Sequence, residues 1–184
     1  MQIEKTKIEG LLVITPNVFK DDRGYFYESF NTSQWEKLGL KDEFVQDNQS
    51  LSGKGILRGL HFQAPPYAQG KLVRVIKGAV IDVAVDIRKD SPTYGESVSI
   101  ELSEENFKMF WVPAGFAHGF STLGDEPADL IYKITDGEYS PEGEGGILYN
   151  DPAFNIDWQV ESPVISERDK AQKSFDEYLK NPKF

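Results

Sequence analysis

The pattern of apolar and polar residues predicts a chain built mainly from short β-strands. Stretches rich in Val, Ile, Leu and aromatic residues alternate with turns that contain Gly, Pro or Asp. This spacing is typical of all-β sandwiches and barrels. The predicted strands are residues 11–18, 25–30, 44–49, 71–77, 79–88, 97–102, 107–112 and 130–135. Helical signals are confined to residues 34–38, after cap-like residues 31–33, and to one or two turns within 166–179.

The length of 184 residues suits one domain. Within it we expect N-terminal strands over about residues 1–50, a barrel over about 51–150 and a C-terminal segment over about 151–184. We find no repeat, low-complexity tract or linker that would divide the chain. The expected fold class is therefore all-β, with a few short helices.

One predicted strand places carboxylates among apolar residues. In residues 79–88 every second residue from Ala79 onward is apolar, and the opposite face carries Asp82 and Asp86. If the apolar face packs against a second sheet or a partner subunit, the carboxylates line a cavity. In the alternative arrangement they face water, as most carboxylates do.

The composition restricts the classes of partner. A formal net charge of −10 argues against non-specific nucleic-acid binding, although a few arginines can still hold a small anionic ligand. The chain has no cysteine, which excludes disulfides and thiolate metal sites. It lacks an apolar run of about 20 residues and the N-terminal pattern of a signal peptide. We therefore expect a cytoplasmic protein with no membrane partner.

The first of only two histidines lies in the segment LRGLHFQ, residues 57–63. Strand alternation would put Leu57, Gly59 and His61 on one face and Arg58 on the other. Gly59 leaves room for a ligand or another backbone beside the imidazole. An imidazole near a guanidinium suits proton transfer on an anionic substrate. This segment alone, however, favours a purely structural histidine.

The second histidine, His118, lies in the segment PAGFAHG, residues 113–119. Its Pro-x-Gly-x-x-His spacing resembles the second motif of cupin jelly rolls. Metal-binding cupins carry His-x-His followed by Glu in their first motif, whereas residues 61–63 read HFQ. Two histidines cannot build a three-His site. A mixed His/carboxylate site remains open on ligand chemistry, but the His-Gln departure favours a metal-free cupin.

A longer series of motifs resembles one family of metal-free cupins, the dTDP-4-dehydrorhamnose 3,5-epimerase family. The motifs run in order from about residue 3 to about residue 170. They are DRGYFYE at 22–28, FVQDN at 44–48, LRGLHFQ at 57–63, QGKLVRV at 69–75, DVAVDIR at 82–88, SPTYG at 91–95, GFAHGF at 115–120, YK at 132–133, YSP at 139–141, NDP at 150–152 and SERD at 166–169. So many ordered matches outweigh the structural alternative for the first histidine.

The resemblance implies a double-stranded jelly roll that inverts C3 and C5 of dTDP-4-dehydro-6-deoxy-D-glucose to give dTDP-4-dehydro-L-rhamnose. In such an enzyme His61 matches the base, Asp169 the carboxylate that orients it, and Lys71 the cation near the C4 oxygen. Tyr132 matches the acid on the other ring face, and Tyr139 is the competing candidate. No metal or nicotinamide cofactor is expected.

The resemblance also implies substrate-binding residues. Arg23 and Arg58 fit the diphosphate, because a guanidinium binds phosphate in a bidentate way. Phe19 and Phe26 would cover the thymine base or belong to the core. The remaining matches to ligand-contacting positions are Glu28, Gln46, Asp47, Asn48, His118, Tyr139, Glu144 and Arg168. A glycine-rich segment at 141–146 blurs the register at residue 144, and residue 168 is Arg where many relatives carry Lys.

Family members pair as homodimers that exchange N-terminal strands, so we expect a homodimer. The apolar edge of residues 11–18 would be covered in it. Three other functions remain open: epimerisation at C3 or C5 alone, movement of the ketone between C3 and C4, and non-catalytic binding of a sugar nucleotide. The number of ring positions that exchange with D₂O separates double from single epimerisation and both from a binder.

Overall fold

The structure is a computed structural model that describes residues 1–137 and 139–184. Its strands are β1 (Gln2–Lys5), β2 (Leu12–Thr15), β3 (Phe19–Asp21), β4 (Gly24–Phe26), β5 (Phe44–Ser52), β6 (Leu57–Gln63), β7 (Lys71–Lys77), β8 (Ala79–Asp86), β9 (Ser97–Ser103), β10 (Met109–Val112), β11 (Phe116–Thr122), β12 (Ala128–Thr135) and β13 (Glu144–Gly146). The helices are α1 (Thr32–Lys37), α2 (Glu167–Lys170) and α3 (Phe175–Leu179). The predicted all-β class with a few short helices is confirmed.

Two antiparallel sheets face each other. One has the strand order β1-β2-β10-β7-β12-β5 and the other the order β13-β6-β11-β8-β9, while β3 and β4 form a separate hairpin. This arrangement confirms the predicted jelly roll. No helix in the described part of the chain is long and apolar enough to cross a membrane.

Three apolar clusters hold the layers together. The first fills the space between the sheets and includes Val73 and Leu130 from one sheet and Phe120 from the other. The second packs the outer face of the five-stranded sheet against the C-terminal segment. The third packs α1, through Trp35, on the outer face of the six-stranded sheet. The apolar fill between the sheets is incomplete, because polar side chains line a cavity there.

The element boundaries differ from the sequence prediction where single residues change the backbone. The strand predicted at 107–112 begins at Met109, because Phe107 has a φ of 56° and cannot continue a strand. The predicted strand 11–18 is reduced to β2, and 25–30 to the short β4. β1, β3, β11 and β13 were not predicted. β7 covers residues 71–77 as expected.

The predicted alternation along β6 is wrong. His61 pairs with His118 on β11, but Arg58 pairs with Phe120, so two residues of β6 oppose one residue of β11 between these pairs. This bulge shifts the side-chain alternation by one residue. As a result Arg58 and His61 line the same cavity.

A glycine is required two residues before His61, because another backbone segment passes close to it. Gly59 has a φ of +130°, and a Cβ there would lie 2.6 Å from the Cα of Gly119. Leu57 and Leu60, which lie on either side of Gly59 along the strand, both pack in the second apolar cluster instead of on opposite faces of the sheet. The bulge thus lets β6 and β11 approach closely while both histidines remain at the cavity.

Candidate active site

A cavity of about 170 Å³ lies between the two sheets. A wider recess of about 390 Å³ adjoins it and shares His61, Lys71 and Tyr132. The five-stranded sheet supplies Arg58, His61 and His118 to the cavity, and the six-stranded sheet supplies Ser50, Lys71 and Tyr132. A molecule bound between the sheets would therefore meet the imidazoles on one wall and the ammonium and phenol on the other.

His61 is held by Asp169. Its Nε2 lies 2.6 Å from Asp169 Oδ1, and the backbone N–H of Gly59 donates to Asp169 Oδ2 over 3.3 Å. Asp169 belongs to α2, where Ser166 Oγ caps the helix by accepting from the Asp169 N–H over 3.1 Å. The short C-terminal helix thus docks a buried carboxylate directly behind the imidazole.

The environment of Asp169 favours its ionised form. Burial by itself raises the pKa of this carboxyl, but the hydrogen bond and charge of His61 and the N–H of Gly59 outweigh that effect. The pKa of Asp169 therefore lies below its ordinary value. An ionised carboxylate only accepts, so Nε2 of His61 donates and the neutral ring leaves Nδ1 free as a proton acceptor.

The opposite wall carries a cation and a protonated phenol. Burial lowers the pKa of Lys71 to about 8, against the opposing effect of the Asp82 charge. Burial raises the pKa of Tyr132 above its ordinary value, although the charge of Arg58 acts in the other direction. At neutral pH Lys71 is therefore mostly an ammonium, and Tyr132 keeps its proton.

The carboxylates of β8 are both fully buried, so the arrangement in which they face water is wrong, but neither of them lines the cavity or the recess directly. Asp82 Oδ1 lies 2.7 Å from Nε2 of His118. Asp86 accepts from Arg88 and from two hydroxyl groups away from the cavity. One carboxylate belongs to the site, and the other stabilises the loop after β8.

The residues predicted on β5 divide between its two faces. Gln46 and Asn48 line the recess, and Gln46 Nε2 donates to Asn48 Oδ1 over 2.9 Å. Asp47 points to the other side, where it accepts from Lys133 Nζ over 2.9 Å. The structure therefore brings the two amides to the site but not the carboxylate between them.

Three predicted residues meet at the mouth of the recess. Glu144 accepts a hydrogen bond from Tyr139 Oη over 3.1 Å and also pairs with Arg168. The hydrogen bond to Glu144 raises the pKa of Tyr139. Tyr139 is 51% exposed, whereas Tyr132 is partly buried between the sheets.

Four predicted residues lie outside the cavity of their own chain. Phe19 and Phe26, on the β3–β4 hairpin, are 66% and 71% exposed. Arg23 in the same hairpin pairs with Asp21. Glu28 accepts from two side chains around the start of α1. The single chain thus does not bring its N-terminal candidates to the site.

Some residues at the site were not predicted. Ser52 Oγ accepts from Arg58 Nε over 3.1 Å, and Ser50 lines the cavity next to it. Both serines share a face of β5 with the two amides, so the period of two along residues 46–52 was the signal that could have found them. Gln63 and Gln69 line the recess as well.

The described residues contain no group of three or more His, Cys, Asp or Glu side chains that could hold a metal ion. The Nε2 atom of His61 contacts Asp169, and the Nε2 atom of His118 contacts Asp82. The two histidines therefore form two His–carboxylate pairs.

Comparison with known proteins places this arrangement in context. A family model described as dTDP-4-dehydrorhamnose 3,5-epimerase matches residues 5–177. The enzyme of that name from Shigella flexneri is 54% identical over 170 residues, which is 92% of this chain and 93% of the relative. The structure of a dTDP-6-deoxy-D-glucose-3,5-epimerase from Legionella pneumophila, in complex with dTDP-4-keto-L-rhamnose, is 50% identical with a TM-score of 0.91 and covers 95% of this chain and 93% of its own. A 3'-monoepimerase from Streptomyces bikiniensis, in complex with dTDP-quinovose, is 30% identical with a TM-score of 0.87 and covers 95% and 88%.

Proposed function

The chain belongs to the dTDP-4-dehydrorhamnose 3,5-epimerase family, and we propose that it inverts C3 and C5 of dTDP-4-dehydro-6-deoxy-D-glucose with His61 as base and Tyr132 as acid. The product is dTDP-4-dehydro-L-rhamnose, and the chain is an isomerase. The observation that carries the assignment of roles is that His61 and Tyr132 line one cavity from opposite sheets. Inversion at carbon needs a base on one ring face and an acid on the other.

In the first step, Nδ1 of neutral His61 takes a proton from a ring carbon beside the C4 ketone. The electron pair of the broken C–H bond forms a carbon–carbon double bond, and the C4 oxygen becomes an enolate. Asp169 stabilises the imidazolium that results, through the 2.6 Å contact with Nε2. A well-placed general base contributes roughly 10²–10⁴-fold to such a step.

The enolate oxygen is stabilised by Lys71, because a partly buried ammonium interacts strongly with a developing negative charge. Tyr132 then donates its proton to the carbon from the opposite face, which inverts the centre. Solvent reprotonates the phenolate and removes the proton from His61. The same sequence at the second carbon completes the reaction.

Tyr132 is preferred to Tyr139 as the acid. Tyr132 is partly buried between the sheets and lines both the cavity and the recess. Tyr139 is half exposed, and its hydroxyl group already donates a hydrogen bond to Glu144. The second phenol therefore suits contact with the substrate at the mouth better than proton delivery within the cavity.

The remaining side chains would bind the nucleotide and sugar. We propose that Arg58, oriented by Ser52, holds the diphosphate, and that Gln46, Asn48 and His118 contact the substrate. Tyr139, Glu144 and Arg168 would contact it at the mouth. Asp47 has no proposed contact, because it faces away from the recess.

We also propose a homodimer in which a second copy completes the site. Phe19, Arg23, Phe26 and Glu28 do not line the cavity of their own chain, and both phenylalanines are mostly exposed. An exchanged N-terminal hairpin would bring the aromatic rings to the thymine base and the arginine to the diphosphate.

We propose one domain for residues 1–184, since β1, β2 and β5 are hydrogen-bonded into the same sheet as β7, β10 and β12. We propose a cytoplasmic location, which cell fractionation tests.

Double epimerisation is preferred to the alternatives. The relative named as a monoepimerase is 30% identical, whereas the 3,5-epimerase from Shigella flexneri is 54% identical. A pure binder would not need a base and an acid on opposite walls. The deciding experiment is an NMR product assay on the dTDP-4-keto sugar in D₂O. Deuterium at both C3 and C5 with inverted product supports the proposal, exchange at one carbon indicates a single-site epimerase, and no exchange contradicts an epimerase.

A further inference from the structure

Asp82 is a buried carboxylate in which only one oxygen has a hydrogen-bond partner among the described residues. Its side chain is fully buried, and Oδ1 is bound to His118 over 2.7 Å. Oδ2 is buried as well and has no hydrogen-bond partner among the described residues. Burying an unpaired charged oxygen is costly, so its retention calls for a function.

The position of Asp82 suggests what that function is. The carboxylate lies on the interior face of β8, between Val80 and Ala84 of the core that separates the sheets. His118 and Lys71 both line the cavity, His118 from the same sheet as Asp82 and Lys71 from the opposite sheet. If packing were the only role of Asp82, an apolar residue would serve at least as well.

The charged surroundings single out Lys71 as the second group that Asp82 acts on. Burial lowers the pKa of Lys71 to about 8, and the charge of Asp82 is what opposes this effect. The other titratable or charged side chains that line the cavity or recess with Lys71 are Arg58, His61, His118, Tyr132, Tyr139, Glu144 and Arg168.

We propose that Asp82 is a positioning residue, which orients His118 through Oδ1 and acts through its buried charge on Lys71 across the cavity. The consequence for catalysis rests on the proposed function, in which the Lys71 ammonium stabilises the enolate. The effect of Asp82 on the charge of Lys71 does not rest on the proposed function, because this effect is expected in the ligand-free protein as well.

The test measures the titration of Lys71 directly. Lysines labelled with ¹³C at Cε are followed by NMR against pH in the ligand-free protein, and Lys71→Arg identifies the resonance. Asp82→Asn keeps the shape and an oxygen for His118 but removes the charge. We expect the titration of Lys71 to move from near pH 8 to lower pH by roughly 1 unit. An unchanged titration would overturn the inference.

Asp86→Asn is the matched control. Asp86 is equally buried on the same face of the same strand, but its partners lie outside the cavity. We expect this variant to lose thermal stability and to leave the Lys71 titration in place. A shift of the same size in both variants would mean a general structural effect and would also overturn the inference. If Asp82→Asn does not fold, Asp82→Ser removes the same charge with a smaller side chain.

Kinetics separate this inference from the proposed function. In wild-type protein kcat should decline at basic pH as Lys71 loses its proton. In Asp82→Asn this decline should begin at a lower pH, in parallel with the shift of the NMR titration. If the wild-type protein exchanged no ring deuterium, the epimerase assignment would fail, and the NMR titration would still decide whether Asp82 controls the charge of Lys71. If exchange were normal and the titration did not move, the function would stand and the inference would fall.

Discussion

His61 and His118 lie directly opposite each other on β6 and β11. Each contacts a carboxylate through Nε2, at 2.6 Å and 2.7 Å, but the carboxylates come from different parts of the fold. The His61 side chain is 30% exposed and that of His118 is 10% exposed. His61 is therefore the imidazole that can exchange a proton with solvent more readily, so the two pairs suit different tasks.

We expect His61→Ala to lower deuterium incorporation at both C3 and C5 by at least roughly 10²-fold, because one base serves both carbons. Asp169→Asn should fall between this variant and the wild type, since the ring remains but its positive charge is no longer stabilised. Exchange is measured by NMR in D₂O. Removal of the other imidazole in His118→Asn is the control and should raise KM while exchange persists. Exchange at the wild-type rate in His61→Ala would end its assignment as base.

The two tyrosines are compared by removing one hydroxyl at a time. Tyr132→Phe should reduce inversion sharply while exchange persists at the first carbon, because the base still acts. Tyr139→Phe should mainly weaken substrate binding, because this phenol lies at the mouth with Glu144. Exchange and inversion are measured separately for each variant. Unchanged inversion in Tyr132→Phe would transfer the acid role to Tyr139 or to water.

The activity should fall at basic pH. Lys71, whose pKa is about 8, is an ammonium below that pH and loses its charge above it. The rate should therefore decline as the pH rises through about 8. Lys71→Arg keeps a cation at all accessible pH values, so this limb should vanish even if the maximal rate is lower. If the rate of Lys71→Arg declined at the same pH as that of the wild type, the decline would be due to a group other than Lys71.

The bulge on β6 makes Gly59 sensitive to substitution. A Cβ there would meet Gly119 Cα at 2.6 Å, and the φ of +130° is unfavourable for any other residue. We expect Gly59→Ala to lower the free energy of unfolding by at least about 2 kcal/mol. Gly53→Ala is the control, since no atom lies within 4 Å of its added methyl. Urea unfolding measures both, and equal stabilities would contradict the close-approach argument.

The proposed homodimer predicts complementation between inactive variants. His61→Ala lacks the base, and Arg23→Ala lacks the arginine that a second copy would supply. A mixed dimer then contains one intact site, so co-expression should give more activity than either variant alone. Sedimentation of the wild type provides the physical check. A monodisperse species of 20.8 kDa at micromolar concentration would contradict the dimer.

The sequence by itself determined the features that depend on neighbouring residues. Alternation and turn residues located β7 at residues 71–77, and a helix begins after the Asn31 cap within the predicted cap segment 31–33. The ordered motifs were sufficient to identify the family, which the comparisons confirm. These signals are local, because strand alternation and helix capping act over a few residues.

The tertiary structure alone decided what depends on contacts between distant segments. Asp169 meets His61 across 108 residues, and only the family resemblance had paired them. The bulge that puts Arg58 and His61 on one face arises from the pairing of β6 with β11, which alternation within β6 cannot reveal. The burial of Asp82 likewise depends on which face of β8 packs against the other sheet. Register and layer packing are set by the free energy of the assembled sheets, so no single segment encodes them.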